Sequence, residues 1–274
     1  MRSTWYVDDD AAPGGDGSQE HPFQYIQDAV DAANDNDQIY VCHGIYNESI
    51  DITKRLELSG GYEDLYGNDT DGSIINGGSI AIFVHTMSVD SGKINGFTIQ
   101  NSGFGIFIDY SSHIEIYNNT IKNNYRGMFI FHSNNDVITE NIISNNTWSG
   151  INIEATDHST ITDNYINQNK YGLLISDNCL MITISLNCFE NNTIYGIIIM
   201  RCSGNTIAYN DFINNTKHAG FSNCWNQWND NYWNTRILPI YFIWGELQSL
   251  RYPPIRMPIP QVDWRPTKER NTDW

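Results

Sequence analysis

A glycine followed by apolar residues returns at Gly105, Gly127, Gly150, Gly172, Gly196 and Gly220, at spacings of 22, 23, 22, 24 and 24 residues. In step with it, a phrase Ile-x-x-Asn-x-apolar sets Asn119, Asn141, Asn164, Asn187 and Asn210 one period apart. Five residues after each of these comes a second column, Asn124, Asn146, Asn169, Asn192 and Asn215. Two asparagine columns in register over five periods mark a repeat fold in which each unit buries its apolar face only against its neighbours. Each period holds about three short β-type segments, rich in Ile and separated by turn residues, which predicts an all-β solenoid, a parallel β-helix, of about nine or ten coils. The glycines are expected to mark turns, and the asparagines to form structural ladders at the bends, where their side chains satisfy backbone groups and one another. A leucine-rich repeat has a similar period, but no segment between these strands carries a helical apolar pattern.

The pattern divides the chain into residues 1–36, an N-terminal strand and capping helix, residues 37–235, the β-helix, and residues 236–274, a C-terminal extension packing on the helix, all within one structural domain. In the first part Phe23, Ile26, Val30 and Ala33 share one face at helical spacing, with Pro22 suited to the first turn. Such a helix would cover the open end of the stack. Beyond Gly220 the texture changes to Trp225, Trp228, Tyr232, Trp233, Tyr241, Phe242 and Trp244 with interspersed prolines. That segment is expected to close the last coil and run back along the outside. A place for it exists, because the pattern turns Phe107, Phe129, Asn152, Leu174 and Ile198 outward as a mostly apolar column, and such a column on a soluble protein needs a cover. The tail and a second subunit are the two candidates, the latter making a self-associating structural protein an alternative reading.

With Asp+Glu 32 against Lys+Arg 15, the net charge of -17 argues against a nucleic-acid partner, since phosphate backbones are held by clustered cations. Cations, glycans or another protein fit better. No apolar run is long enough to span a membrane, and no leader pattern opens the chain. It is read as an extracellular or cell-surface protein whose leader lies outside this sequence. Five cysteines are too few for a disulfide scaffold, although Cys179 and Cys202 occupy nearly equivalent places in adjacent repeats, either as stacked buried thiols or as a disulfide.

The phrases Tyr6-Val7-Asp8-Asp9, Ile26-Gln27-Asp28-Ala29 and Gln38 to Glu48, with the Asn-Thr-Ile repeats, resemble the right-handed parallel β-helix proteins of the pectin-lyase-like superfamily. Within it they resemble the NosD-like, carbohydrate-binding and sugar-hydrolase repeat proteins, over residues 5 to 235. The resemblance implies the fold, and the chain is read as a surface module that binds polysaccharide or another surface component without catalysis. A polysaccharide lyase acting on uronate polymers is the alternative, because the superfamily contains lyases, hydrolases, epimerases, metal-insertion accessory proteins and noncatalytic modules.

Chemistry is expected where the repeat is broken. Outward positions give Asp109 and Glu154, and the next column His132, Asp177 and Arg201, a candidate catalytic cluster in which Arg201 would neutralise a uronate or abstract its proton. Scattered acids with one arginine also describe an ordinary solvated face. Polygalacturonase-type paired aspartates are missing, which disfavours a hydrolase. Trp225, Trp228, Tyr232 and Trp233 are candidate carbohydrate-binding residues, stacking on sugar rings, or else core. Asp8, Asp9 and Asp10 could hold calcium, though a solvated turn explains them as well. The seven histidines are dispersed, which does not suit copper.

Overall fold

The computed structural model describes residues 2–63, 72–85, 91–234, 241–248, 256–263, 266–267, 269–272 and 274. The chain winds into a parallel β-helix whose coils each give one strand to each of three sheets, of ten, nine and ten strands. In one coil these are Glu115–Tyr117 in the first sheet, Thr120–Lys122 in the second and Arg126–Phe131 in the third. Each strand pairs in parallel with its equivalents one period before and after, so Ile116 lies between Ile94 and Ile138, and Ile121 between Ile99 and Ile143. Stacked in this way the isoleucines form continuous columns that are fully buried. Ladder hydrogen bonds and β-branched packing thereby reinforce the same register.

Both asparagine columns are buried ladders. Oδ1 of Asn141 accepts from the backbone N–H of Asn119 at 3.0 Å and Oδ1 of Asn164 from that of Asn141 at 3.0 Å, and the series continues through Asn187 and Asn210 to Asn231. The second ladder runs from Ser102 through Asn124, Asn146, Asn169 and Asn192 to Asn215. A third bend carries hydroxyls and then thiols, Ser111, Ser133, Thr156, Cys179 and Cys202, where the Cys179 N–H donates to Cys202 Sγ at 3.2 Å. All five cysteines are free thiols.

The glycines are not turn residues. Gly105, Gly127, Gly150 and Gly172 sit inside the strands of the third sheet, and a Cβ on any of them would come within 2.5 to 2.7 Å of the carbonyl oxygen of the next glycine in the column. Steric approach between coils, rather than a left-handed backbone, excludes other residues there. Left-handed backbone occurs instead at the bends, among them Tyr110, His132, Asp177 and Arg201, with φ of 49 to 63°.

At the N-terminal end Thr4–Val7 adds a strand to the first sheet beside Asp37–Cys42. The helix spans only Ile26–Ala32, so Pro22 precedes it instead of opening it. Its start is fixed by the Glu48 carboxylate, which accepts from the N–H groups of Ile26 and Gln27 at 2.8 and 3.0 Å. Its end is held by Lys54 Nζ, which donates to the carbonyls of Val30, Asp31 and Ala33. Both caps match the helix dipole.

At the other end Tyr241–Gln248 continues the third sheet in parallel beside Lys217–Ser222, and Arg256–Asp263 returns antiparallel to it. Gln261 and Asp263 on that return strand terminate two ladders: Gln261 Oε1 accepts from the Asn226 N–H at 3.0 Å, and Asp263 Oδ2 from the Asn231 N–H at 3.1 Å. The described end of the tail turns back along a different side, with Trp274 stacked on Tyr165 and Asp211 accepting from Asn271 and Thr272. The outward apolar column of the third sheet is therefore not covered by the described part of the extension.

Burial has a titratable consequence at His218, which is 4% exposed. Desolvation pulls its pKa from 6.5 down to about 4, opposed by a hydrogen bond with Asn234. The folded state thus holds His218 neutral where an unfolded chain is already protonated, so stability present above pH ~6.5 falls as the pH drops toward about 4 and then levels off. We expect this group to contribute about 3 kcal/mol of acid sensitivity, checked by urea midpoints at pH 7 and 4.5 for the wild type and His218→Gln. A variant as acid-sensitive as the wild type would contradict it.

Candidate functional site

The outward face of the third sheet carries the densest assembly of functional side chains. Its register aligns Phe83, Phe107, Phe129, Asn152, Leu174 and Ile198 in one column. The rings stack along it, Phe83 on Phe107 and Phe107 on Phe129, with centroids 5.0 Å apart in each case. Three residues earlier in each strand lies a second column, Phe104, Arg126, Ser149, Tyr171, Tyr195 and Lys217. Beside it Tyr125, Trp148, Tyr171 and Tyr195 make a chain of ring contacts at 6.1, 5.3 and 6.4 Å. The face is an aromatic ledge running along the helix axis.

Cations sit on these rings. The Arg126 guanidinium lies 5.0 Å from the Phe129 centroid, Lys170 Nζ 4.2 Å from that of Trp148 and Lys217 Nζ 4.9 Å from that of Tyr195. Among the described residues none of the three has a carboxylate partner, whereas Arg2, Arg55, Lys93, Arg201 and Arg270 each pair with one. In a chain of net charge -17, three cations that lie on aromatic rings without a carboxylate partner among the described residues set this strip apart.

The ledge is interrupted at Ser149–Glu154, where Ser149 and Asn152 replace larger side chains. Both are fully buried, and Ser149 Oγ, Asn152 Oδ1, Arg126 Nε and Trp148 Nε1 have no hydrogen-bond partner among the described residues. Asn152 Nδ2 donates to Glu154 at 2.9 Å. Unsatisfied polar atoms clustered within an apolar strip are a costly arrangement, and it falls where the column of rings is broken.

The other predicted residues are not brought together. Asp109, His132, Glu154, Asp177 and Arg201 belong to five successive coils, so the first and last stand roughly 19 Å apart at the spacing of β-strands. Of these only Asp177 and Arg201 meet, as an exposed ion pair. His132, Asp177 and Arg201 occupy the left-handed bend position and leave the sheet face altogether. Trp228 and Trp233 are buried and donate from Nε1 to Gln261 and Asp263, so they are core and cannot stack on a sugar. Trp225 is exposed and Tyr232 half-buried. Asp8 and Asp9 accept from the backbone N–H groups of Asp10 and Ile45 at 3.1 and 2.9 Å. The described residues bring no three potential ligands together around a metal position.

Sequence reasoning reached the Phe107 column but missed Arg126, Trp148, Lys170, Tyr171, Tyr195 and Lys217. For all but Lys217 the signal was the residue immediately before each glycine and its predecessor; Gly220 falls in the outward column beside Ile198, and His218, preceded by Lys217, takes the place after Gly196 in the glycine column.

The fold is shared with polysaccharide-related proteins. A complex of XylC with xylose superposes with a TM-score of 0.66 at 10% identity over 84% of this chain and 65% of that one, so this chain spans less than two thirds of XylC. Pectate lyase Pel9A gives 0.53 at 12% identity over 86% and 80%. The periplasmic alginate epimerase AlgG gives 0.53 at 16% identity over 78% and 61%. No curated protein matches in sequence.

A family model described as "Periplasmic copper-binding protein (NosD)" matches residues 30–241. Among the described residues the donors do not fit copper: the thiols of Cys179, Cys202 and Cys224 are buried and already donate to the carbonyls of Ser176, Met200 and Ile199. Matched through most of its length by that family model and wound as the parallel β-helix its repeats predict, the chain belongs to the NosD family.

Proposed function

We propose that this protein is a periplasmic or cell-surface module that binds an acidic polysaccharide along the outward face of the third sheet without cleaving it. The observation that carries the reading is the ledge itself: stacked rings offer flat apolar area to sugar faces, while Arg126, Lys170 and Lys217, without a carboxylate partner among the described residues, lie on rings of successive parts of it. The dispersion of the acids and Arg201 over five coils favours binding over proton abstraction, which needs its groups within hydrogen-bond reach of one substrate carbon.

Affinity electrophoresis on polygalacturonate, alginate and neutral xylan tests this. Retardation by the acidic polymers is expected, with a loss of about tenfold in affinity on Phe107→Ala combined with Arg126→Gln. Equal retardation by xylan, or none by any polymer, would refute it. Release of unsaturated uronate products, read by ultraviolet absorbance, would establish a lyase instead.

A further inference from the structure

The ledge ends in a cleft. The column of Phe107, Phe129, Leu174 and Ile198 reaches Gly220, which has no side chain, and the register of Phe221 with Gly245 sets Trp244 beside it on the next strand. A Cβ at Gly220 would lie 2.6 Å from Cε1 of Tyr195, so the missing side chain is what lets the Tyr195 ring fold down into the column. The result is a cleft of about 340 Å³ between Tyr195 on one side and Phe242 and Trp244 on the other. Lys217 lines it, its Nζ 3.2 Å from the Tyr195 hydroxyl, as do Tyr241 and His218. Trp244 is 63% and Phe242 42% exposed, an unusual outlay of aromatic surface unless something stacks on it.

We propose that this cleft is a subsite for a single anionic sugar ring at the end of a glycan chain, held between Tyr195 and Trp244 with its carboxylate or sulfate on Lys217. The proposal rests on the reading of the ledge as a glycan surface and adds to it a place where the chain ends. Its walls explain the class of ligand. A pyranose is flat and apolar on its faces and hydroxylated at its edges, which suits two facing aromatic rings. Lys217 has no carboxylate partner among the described residues, so an anion at this point gains a charge-assisted hydrogen bond without displacing one already made. The strands Tyr241–Gln248 and Arg256–Asp263 are the last of the third sheet, so the cleft lies where the ledge runs out and fits a terminus better than the middle of a polymer.

Free galacturonate, glucose 6-sulfate and glucose are the probes, followed by tryptophan fluorescence and saturation-transfer NMR on the whole protein. Both anions are expected to bind, and glucose to bind at least about tenfold more weakly. Trp244→Ala and Lys217→Gln should each weaken the anions by about tenfold. Both side chains are exposed, so the fold should tolerate their loss. A preference for galacturonate over the sulfate would identify a uronate end, and the reverse a sulfated one. Arg126→Gln should leave monosaccharide binding unchanged while lowering polymer retardation. Polymer binding in a protein that ignores the monosaccharides would overturn the cleft and spare the ledge. Monosaccharide binding that survives Trp244→Ala, or that does not distinguish glucose from the anions, would overturn the cleft as well. Monosaccharide binding lost in Trp244→Ala, in a protein that retards on no polymer, would support the cleft and overturn the ledge.

Discussion

Replacing Asn164 by alanine is expected to destabilise the protein by about 3–5 kcal/mol, among the largest effects available to a single substitution here. Asn164 is fully buried at the middle of the first ladder. Its Oδ1 accepts from the N–H and Nδ2 of Asn141, both at 3.0 Å. Its Nδ2 donates to the carbonyls of Ile138 at 2.9 Å and Thr162 at 2.7 Å, and to Asn187 Oδ1 at 2.9 Å. Alanine removes every one of these side-chain bonds and supplies nothing in return, leaving donors and acceptors of three coils buried and unpaired. Each such group costs about 1–3 kcal/mol when it cannot reach water, and partial relaxation of the bend recovers some of the sum. Urea denaturation with the slope held constant measures it, and a loss below about 1 kcal/mol would show that the ladder is ornamental.

The fold was legible because it is periodic. A ladder position must be refilled by the same residue in every coil, so the requirement of one bend is written into the sequence five times over at Asn119 through Asn210. The glycine column was equally visible, but its cause was not: a left-handed turn and a close carbonyl both demand glycine, and only the 2.5 Å separation between a Gly105 Cβ and the Gly127 oxygen tells them apart. That glycine also hid half of the ledge. Outward residues of the strand Phe104–Asp109 are Phe104, Phe107 and Asp109, because Gly105 and Ile106 both turn inward. Simple alternation finds Phe107 and Asp109 and then puts Gly105 outside in place of Phe104. Arg126, Tyr171 and Tyr195 were lost to that one-residue slip. Their neighbours Trp148 and Lys170 were lost with them.

The aromatic tail misled for a different reason. Trp228 and Trp233 look like exposed recognition residues when read by composition, yet each continues a core column, Trp228 after Ile207 and Trp233 after Phe212. Asn231 likewise continues the ladder after Asn210. The period was present to be followed, at 21 residues instead of 22 or 23, and the change of texture concealed it. What no local pattern could supply was the partner of the last rung. Asp263 arrives from 32 residues away on an antiparallel strand, so its role depends wholly on tertiary pairing.

Asp263→Ala is accordingly expected to cost about 3–4 kcal/mol, concentrated at one end of the molecule. Its buried Oδ2 accepts from the N–H and Nδ2 of Asn231, both at 3.1 Å, and from Trp233 Nε1 at 3.0 Å. Alanine leaves the Asn231 N–H and Trp233 Nε1 without this acceptor and Asn231 Nδ2 with only the Ile207 carbonyl, in a place where the stack has no further coil to satisfy them. In a repeat fold stability is close to a sum of neighbour terms, so the damage should not spread evenly. Hydrogen exchange should accelerate in residues 227–233 and in the strand Tyr241–Gln248, while amides of the central coils between 138 and 166 keep their wild-type protection. Asp263→Asn, which keeps one accepting oxygen, should fall between the two. Uniform acceleration along the chain would mean that the helix unfolds as one cooperative unit, and unchanged exchange near Asn231 would mean that the carboxylate is not what ends the ladder. The predicted gradient also bears on the cleft, since Trp244 lies on the strand that Asp263 helps to hold through its return partner: loosening that end should lower affinity for the anionic monosaccharides while leaving the rings at Phe107 and Phe129 in place.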